Sequence, residues 1–233
     1  MTQERELAAQ FAHVSGELLS ESSEELTFEA VVKRAVSMVP GCVHAGITLR
    51  RRRGRAETVA ATDQLVERLD TVQYALGAGP CLDAAFEREN VVVVDDTGTD
   101  RRWPRWSDEA RALGVASVMA VRLSTGEETL GALNLYSEKP DNFAGEAGVI
   151  ASIFASHATE AMSKARLVTG LRAALESRHL IGIAQGVLAA QYDVSYERAF
   201  EVLHRYSNDR NLKLRDVARA VAETRRLPLD DLG

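Results

Sequence analysis

Apolar residues in the first forty positions recur at intervals of three and four, which is the spacing of one helical face. A first helix is predicted by four such positions: Leu7, Phe11, Val14 and Leu18. A second helix is predicted over 26–39, and Pro40 ends it. The chain therefore begins with two amphipathic helices.

The period changes to two after Pro40, as expected for half-buried strands. Alternating or β-branched segments predict five strands, over 43–49, 56–62, 91–94, 115–123 and 129–136. A four-residue turn joins the last two strands as a hairpin. Strands interspersed with helices predict an α/β domain with a mainly antiparallel sheet flanked by helices.

The alternation ends near residue 142, and helical periodicity replaces it. A long helix is predicted over 143–191, followed by short helices over 196–208 and 214–225. The end of the long helix and the two short helices form a small all-α three-helix unit. Heptad-like spacing occurs within the long helix at Val168, Leu171 and Leu175. This connector either pairs with a second copy of the chain as a coiled coil or packs against its own domain.

The formal net charge of −6 hides a difference between two parts of the chain. Residues 1–165 hold 17 basic and 25 acidic side chains, whereas residues 166–233 hold 11 and 9. We place the boundary between two domains here, within the long helix. A charge difference of this kind indicates that the two domains have different partners.

Cysteine content and hydropathy predict where the protein works. Two cysteines in 233 residues do not make a disulfide framework, which favours a reducing compartment. The apolar runs are shorter than the about 20 residues of a membrane span, and the polar start is not a signal peptide. We therefore expect a cytoplasmic protein without membrane contact.

Catalytic and metal-binding motifs are absent from the sequence. It contains no P-loop, nucleophile elbow or zinc-protease motif, and its histidines are isolated, so we predict no metal site and no enzyme activity. Cys81 follows a glycine-rich turn at the start of a predicted short helix. It is either a thiol of lowered pKa or a small buried apolar residue. The alternative function is therefore a redox enzyme or sensor that uses Cys81 with Cys42.

A second group of candidate residues combines aromatic and basic side chains. Trp103 and Trp106 lie in one predicted loop next to Arg102, where they either form the wall of a ligand pocket or close one end of the core. With Cys81, these three residues are the candidate ligand-binding set of the first domain. The run 50–55 is either a phosphate site or a solvated hairpin turn.

The tail interleaves basic, amide and aromatic side chains on short helices. Such a surface suits phosphate pairing, base-edge hydrogen bonds and stacking on flexible nucleic acid, and it also suits protein docking. The candidate RNA-binding residues are Arg178, Gln185, Tyr196, Arg198, Arg205, Arg210, Asn211, Lys213, Arg215 and Arg219.

Three runs in the tail closely resemble the ANTAR domain: LESRHLIGIAQGVL at 175–188, SYERAFEVL at 195–203 and NLKLRDVA at 211–218. That family is a three-helix RNA-binding module of bacterial transcription antiterminators. Gln185 stands where the family often has lysine, and Ala189 and Ala190 stand where a Leu-Met pair is common. The resemblance implies that the tail binds RNA.

Four runs in the first domain resemble the GAF domain: QYALGAGPCLDA at 73–84, RWP at 102–104, GVASV at 114–118 and GALNL at 131–135. GAF domains are sensory small-ligand or dimerisation modules. The chain lacks both the signature of cyclic-GMP binders and the Cys-His pair that attaches bilins, so the resemblance leaves the cofactor or ligand unknown.

Together the two resemblances imply a homodimeric antiterminator, paired through the long helix, that binds tandem hairpins in mRNA leaders and responds to a signal in its GAF domain. Two other hypotheses stay open. The GAF domain acts as a methionine-sulfoxide reductase, or it is a ligand-free scaffold regulated by a partner protein.

Overall fold

A computed structural model describes residues 2–86, 89–126 and 128–227. The chain divides into two compact units, Met1–Leu167 and Val168–Gly233. The division falls inside one helix, α6 (Glu146–Tyr192). Each unit is therefore described by itself.

The first unit contains five strands and most of the helices. Its elements before α6 are α1 (Thr2–Ser20), α2 (Glu24–Met38), β1 (His44–Arg50), β2 (Ala56–Ala61), α3 (Gln64–Leu76), α4 (Pro80–Phe86), β3 (Val91–Val94), α5 (Pro104–Ala112), β4 (Ser117–Ser124) and β5 (Thr129–Ser137). A short 3₁₀ turn, Arg52–Gly54, joins β1 to β2.

The strands form one antiparallel sheet in the order β2-β1-β5-β4-β3. The central strand β5 pairs along most of its length with both β1 and β4. The sequence prediction of a mainly antiparallel α/β domain followed by a three-helix unit is confirmed.

Helices cover both faces of this sheet. Residues of α1, α2 and the first part of α6 pack on one face, where the core includes Ile47, Leu133 and Phe154. Helices α3 and α5 pack on the other face around Leu69 and Trp106. Because successive side chains of a strand point to opposite faces, Thr48 points away from Ile47 and towards α3.

Two helices that hold site residues were not delimited from the sequence. Helix α3 begins after Asp63, whose side chain accepts a hydrogen bond from the Leu65 amide, and ends at Gly77 in a left-handed conformation. Helix α5 begins with Pro104 at its first turn, a position where proline is favoured. Trp106 therefore lies on a helix, and the prediction that both tryptophans lie in one loop was wrong.

The second unit is formed by the end of α6, α7 (Tyr196–Asp209) and α8 (Leu214–Thr224). Its core is small and consists of Ala184, Leu188, Ala199, Leu203, Val217, Ala218 and Val221. Ser195 caps α7 by accepting a hydrogen bond from the Arg198 amide. The buried stripes of α7 and α8 leave the basic side chains of this unit on the surface.

Candidate functional site

A buried carboxylate lies between α3 and the sheet of the first unit. Asp70 is fully buried. Its Oδ2 accepts a hydrogen bond from Thr58 Oγ1 at 2.6 Å and lies 3.5 Å from Thr48 Oγ1. Its Oδ1 accepts from Gln73 Nε2 at 3.3 Å and from Cys81 Sγ at 3.8 Å. Within the described ranges no cationic side chain forms an ion pair with Asp70.

Three further polar side chains extend this group. The Tyr74 hydroxyl lies 2.8 Å from Thr58 Oγ1 and 3.3 Å from Thr48 Oγ1. Asn134 Nδ2 donates to Thr48 Oγ1 at 3.0 Å. The Oδ1 of Asn134 is buried and has no hydrogen-bond partner among the residues described. The buried Tyr136 hydroxyl interacts with the Asp70 carboxylate. We call these eight residues the Asp70 cluster: Thr48, Thr58, Asp70, Gln73, Tyr74, Cys81, Asn134 and Tyr136.

Burial controls the titration of the Asp70 cluster. Desolvation raises the pKa of Asp70 to about 6, although hydrogen bonds from Thr58 and Cys81 oppose the shift. Desolvation and the nearby Asp70 carboxylate also raise the pKa values of Tyr74, Cys81 and Tyr136. Asp70 is therefore the group of the cluster that changes charge near neutral pH.

A glycine allows the loop before α4 to reach this cluster. Gly79 has φ +153°, and a Cβ at this position would lie 2.3 Å from Gln73 Oε1. The same Gln73 oxygen accepts a hydrogen bond from the Cys81 amide at 2.9 Å. The close approach of Gln73 thus holds Cys81 next to Asp70.

The two cysteines do not meet. Cys42 belongs to the core on the α1–α2 face of the sheet, where its thiol donates to the His44 carbonyl at 3.3 Å, whereas Cys81 lies on the α3 face. Burial raises the pKa of Cys42 to about 12 and raises that of Cys81 as well. The lowered thiolate pKa considered for Cys81 is not found, because desolvation and the nearby Asp70 carboxylate raise the pKa instead. A redox pair of Cys81 with Cys42 has no support in this geometry.

The other candidate ligand-binding residues lie together near α5. Trp106 is fully buried in the core beside Val66, and Trp103 packs partly buried against the same core. The Arg102 guanidinium lies 4.4 Å from the Trp103 ring centroid and 2.6 Å from the Asp100 carboxylate, and it also donates to the Val93 carbonyl. The structure therefore brings Arg102, Trp103 and Trp106 to one region and places Cys81 in the Asp70 cluster.

Sequence reasoning did not identify most of the Asp70 cluster. A usable signal was present, since Asp70 and Gln73 occupy the same face of α3 as the apolar Val66 and Leu69. A charged residue on a buried helical face marks a site or a hydrogen-bonded core group. The unpaired Oδ1 of Asn134 can be identified only once the strands are placed.

The candidate RNA-binding residues of the second unit are mostly exposed. Arg178, Arg205 and Lys213 are exposed, and within the part of the chain that the structure describes they have no acidic partner. The exposed fraction of Tyr196 is 63%. Asn211 has a positive φ of 52° in the turn between α7 and α8.

Other basic and amide residues of this unit already have partners. Arg198 pairs with Glu201 at 2.7 Å, and the Arg210 guanidinium lies 5.9 Å from the Tyr206 ring centroid. Gln185 is half-buried and its Nε2 donates to the Tyr196 carbonyl at 3.1 Å. Two arginines of α8 approach the Asp216 carboxylate: Arg215 at 3.5 Å and Arg219 at 3.8 Å.

A shallow groove of about 370 Å³ runs along the exposed side of α7. Arg198, Arg205, His204 and Asn208 line it, together with the acidic Glu201 and Asp209. His204 Nδ1 lies 3.2 Å from Asn208 Nδ2, and the His204 ring stacks on Phe200 with centroids 6.0 Å apart. The groove thus offers guanidinium, amide and aromatic groups on one helix face.

Metal and membrane sites are not found in the described ranges. No three histidine, cysteine, aspartate or glutamate side chains come together as metal ligands there. Within the same ranges no helix has the length and apolarity needed to cross a bilayer.

Comparison with protein families assigns both units. Residues 21–163 match the GAF domain, and residues 169–221 match the ANTAR domain. A comparison with curated proteins gives no match.

Solved structures share the fold of the first unit. A domain assigned to a two-component sensor histidine kinase protein of Sinorhizobium meliloti is 21% identical, with a TM-score of 0.53 over 64% of this chain and 96% of that one. The GAF domains of phosphoenolpyruvate-protein phosphotransferases from Coxiella burnetii and Acinetobacter are 17% and 14% identical, with TM-scores of 0.55 and 0.54. Each match covers 70% of this chain, and 96% and 97% of those domains respectively.

Proposed function

The chain belongs to the GAF domain family and carries an ANTAR domain after its GAF domain, and we propose that it is a signal-responsive transcription antiterminator that binds hairpin loops of nascent mRNA. This architecture is that of a sensor-regulated, RNA-binding regulatory protein. The proposal adds the kind of RNA element that is bound and the way in which the GAF domain controls binding.

The exposed cations of the ANTAR domain are the observation that carries the proposal. Arg205 on α7 and Lys213 before α8 are exposed and have no acidic partner in the described ranges, so both are available to RNA phosphates. Hairpin loops present unstacked bases, which proteins recognise by aromatic stacking and by hydrogen bonds to base edges. The exposed ring of Tyr196 supplies a stacking surface on the same domain.

The remaining candidates are assigned by their surroundings. Arg178 and Asn211 are exposed and are proposed to contact RNA directly. Four arginines are proposed as secondary phosphate contacts, because each already interacts with a neighbouring side chain: Arg198, Arg210, Arg215 and Arg219. We assign Gln185 to positioning α7, since its amide donor is engaged by the Tyr196 carbonyl.

Control by the GAF domain is proposed to act on the α3–α5 side of the sheet. This side holds Cys81 in the Asp70 cluster and also Arg102, Trp103 and Trp106. The unpartnered Oδ1 of Asn134 there supports a polar small-molecule ligand, because buried polar atoms normally have hydrogen-bond partners. Helix α6 then connects this domain to the ANTAR helices.

The active form is proposed to be a homodimer paired through α6. Leu171 and Leu175 are 56% and 66% exposed, and Val168 is half-buried at heptad-like spacing with them. A dimer carries two ANTAR domains, so a transcript with two hairpins gains affinity through effective concentration. A preference for tandem hairpins is therefore part of the proposal.

The test is a gel-shift titration of the full-length protein on transcripts that carry one or two hairpins, at several salt concentrations. We expect tighter binding to the tandem transcript and affinity that falls as salt rises. Arg205→Ala/Lys213→Ala is expected to reduce the slope of log K against log salt by about 1.4, at about 0.7 for each lost contact to single-stranded RNA.

The matched control is Arg68→Ala/Arg111→Ala, which removes two exposed arginines from α3 and α5 of the GAF domain. It carries the same change in net charge, and we expect it to bind like the wild type. Salt-independent binding, or equal losses in both double variants, would contradict the proposal.

A further inference from the structure

The β1–β2 turn of the GAF domain concentrates positive charge in an otherwise acidic domain. Five of the six residues at 50–55 are arginine. Residues 1–165 contain 17 basic and 25 acidic side chains, so the domain without this run has 12 basic residues against the same 25. Such a concentration on one turn differs from the mixed charges of an ordinary solvated surface.

The turn borders an open groove of about 670 Å³. Arg50, Arg51 and Arg55 line the groove together with Arg166 of α6. Arg51 pairs with Glu57, and Arg166 lies 3.5 Å from Glu128. These contacts hold two guanidinium groups in defined positions along the groove.

Two arginines of the turn have no such contact. Arg53 and Arg55 are exposed, and the residues described include no acidic partner for either. Arg53 and Gly54 have φ of 64° and 71°, and the Arg51 amide donates to the Arg55 carbonyl at 2.7 Å, which closes the turn. The fold thus presents two unpaired cations on an ordered turn beside edge strand β2.

An aromatic groove of about 450 Å³ adjoins the basic one, and Arg55 lines both. Tyr74 and Phe86, both half-buried, line this second groove together with Asp83. The Arg50 guanidinium lies 5.3 Å from the centroid of the Phe86 ring. A row of guanidinium groups next to aromatic rings is the arrangement by which proteins hold single-stranded nucleic acid, with phosphates on the cations and a base on a ring.

We propose that the Arg50–Arg55 turn and the Tyr74–Phe86 groove bind a single-stranded segment that flanks the hairpins of the target RNA. The inference rests on the proposed function for its RNA and adds a second contact surface in the sensor domain. The open shape of both grooves suits a polymer that passes through rather than an enclosed small anion. A flexible flank reaches this surface through effective concentration once the hairpins are bound.

The experiment compares the full-length protein on tandem-hairpin transcripts with and without a 12-nucleotide single-stranded flank. The flank is expected to raise the affinity of the wild type and to make the salt slope steeper. In Arg53→Ala/Arg55→Ala the gain is expected to disappear, with a slope smaller by about 1.4. Phe86→Leu is expected to weaken binding of the flanked transcript at least about fivefold, from the loss of one stacked base.

Arg68→Ala/Arg111→Ala is again the charge-matched control and should keep the full gain. The flank alone, without hairpins, separates the two proposals: salt-dependent binding that Arg53→Ala/Arg55→Ala abolishes supports the inference even if hairpins fail to bind. Hairpin binding without any gain from the flank overturns the inference and leaves the proposed function intact. Binding of nucleoside monophosphates with no effect of the flank also overturns it, because the grooves would then hold a free nucleotide.

Discussion

The Asp70 cluster of the GAF domain and the basic surface of the ANTAR domain place charge in opposite environments. Asp70 is completely buried, accepts several hydrogen bonds and has no cationic partner in the described ranges. Arg205 and Lys213 are exposed and lack acidic partners there. Desolvation makes the first arrangement costly, whereas water solvates the second at little cost.

Under the proposed function, this difference suits each domain to its own part. A buried carboxylate near an unpartnered amide oxygen responds strongly to a proton or to a polar ligand, because the interior screens it weakly. Exposed cations respond to a polyanion and lose their effect as salt rises. The proposed sensor site is thus built from a few buried groups, and the proposed RNA surface from several exposed ones.

The largest expected effect is a loss of stability in the ANTAR domain, because the core that supports its surface is small. The ANTAR core has seven fully buried apolar side chains, with Leu203 of α7 among them. Leu203→Ala removes a large part of this core, and we expect a loss of about 2–5 kcal/mol in the stability of that domain. Far-UV circular dichroism should show helix loss at a lower temperature, together with loss of RNA binding.

Both tryptophans, Trp103 and Trp106, lie in the GAF domain, so tryptophan fluorescence reports on that domain alone. We expect its fluorescence transition to be unchanged in Leu203→Ala. Leu212→Ala, at a residue that is 48% exposed, is the control and should cost little. A simultaneous shift of both transitions in Leu203→Ala would mean that the two domains unfold as one unit.

The second prediction concerns the pH dependence of GAF-domain stability. The pKa of Asp70 is about 6 in the folded protein, against about 3.9 for an unfolded aspartate. The folded state therefore holds the Asp70 proton more tightly than the unfolded state does. The resulting stabilisation of the folded state is present in full below pH 4 and is lost as the pH rises through 6. Two pKa units correspond to about 3 kcal/mol.

Asp70→Asn should remove this dependence. Between pH 7.5 and pH 4, the free energy of unfolding of the wild type should gain about 3 kcal/mol relative to Asp70→Asn, measured by urea unfolding with tryptophan fluorescence. Asp100→Asn is the control, because Asp100 affects the pH dependence of stability with the opposite sign. Burial raises the pKa of Asp100, but the hydrogen bonds and positive charge of Arg102 lower it by a larger amount, so that the pKa of Asp100 lies below its usual value. Parallel pH profiles of wild type and Asp70→Asn would show that Asp70 does not titrate in this range.

The fold was largely predictable from the sequence because periodicity reflects burial. The alternation around Ile47 and the stripe at Leu203 follow directly from one face being buried. Helix α5 was missed because Trp103 and Pro104 read as a loop, although proline at the first turn of a helix is favourable.

The site was less predictable, because it depends on which side chains meet across the sheet. Thr48 and Asn134 are 86 residues apart in sequence, and only strand pairing brings them into contact. Cys81 was identified from its glycine-rich turn, whereas its partner Asp70 was missed although it is a charged residue on the apolar face of α3. In the tail the exposed basic residues could be identified, but the contact of Gln185 with Tyr196 could not.

The smallest expected effect is the difference in RNA affinity between removing an unpaired cation and removing a paired cation from the ANTAR surface. Arg205→Ala removes a guanidinium without an acidic partner in the described ranges, and we expect RNA affinity to fall about fivefold, which is about 1 kcal/mol. Arg198→Ala/Glu201→Ala removes an ion pair with no net charge. That double variant should lose less affinity than Arg205→Ala, because in the wild type the Arg198 guanidinium is already paired with the Glu201 carboxylate and is only a secondary phosphate contact. Equal losses in gel-shift titrations at one salt concentration would contradict the assignment of Arg198 as the weaker of the two contacts.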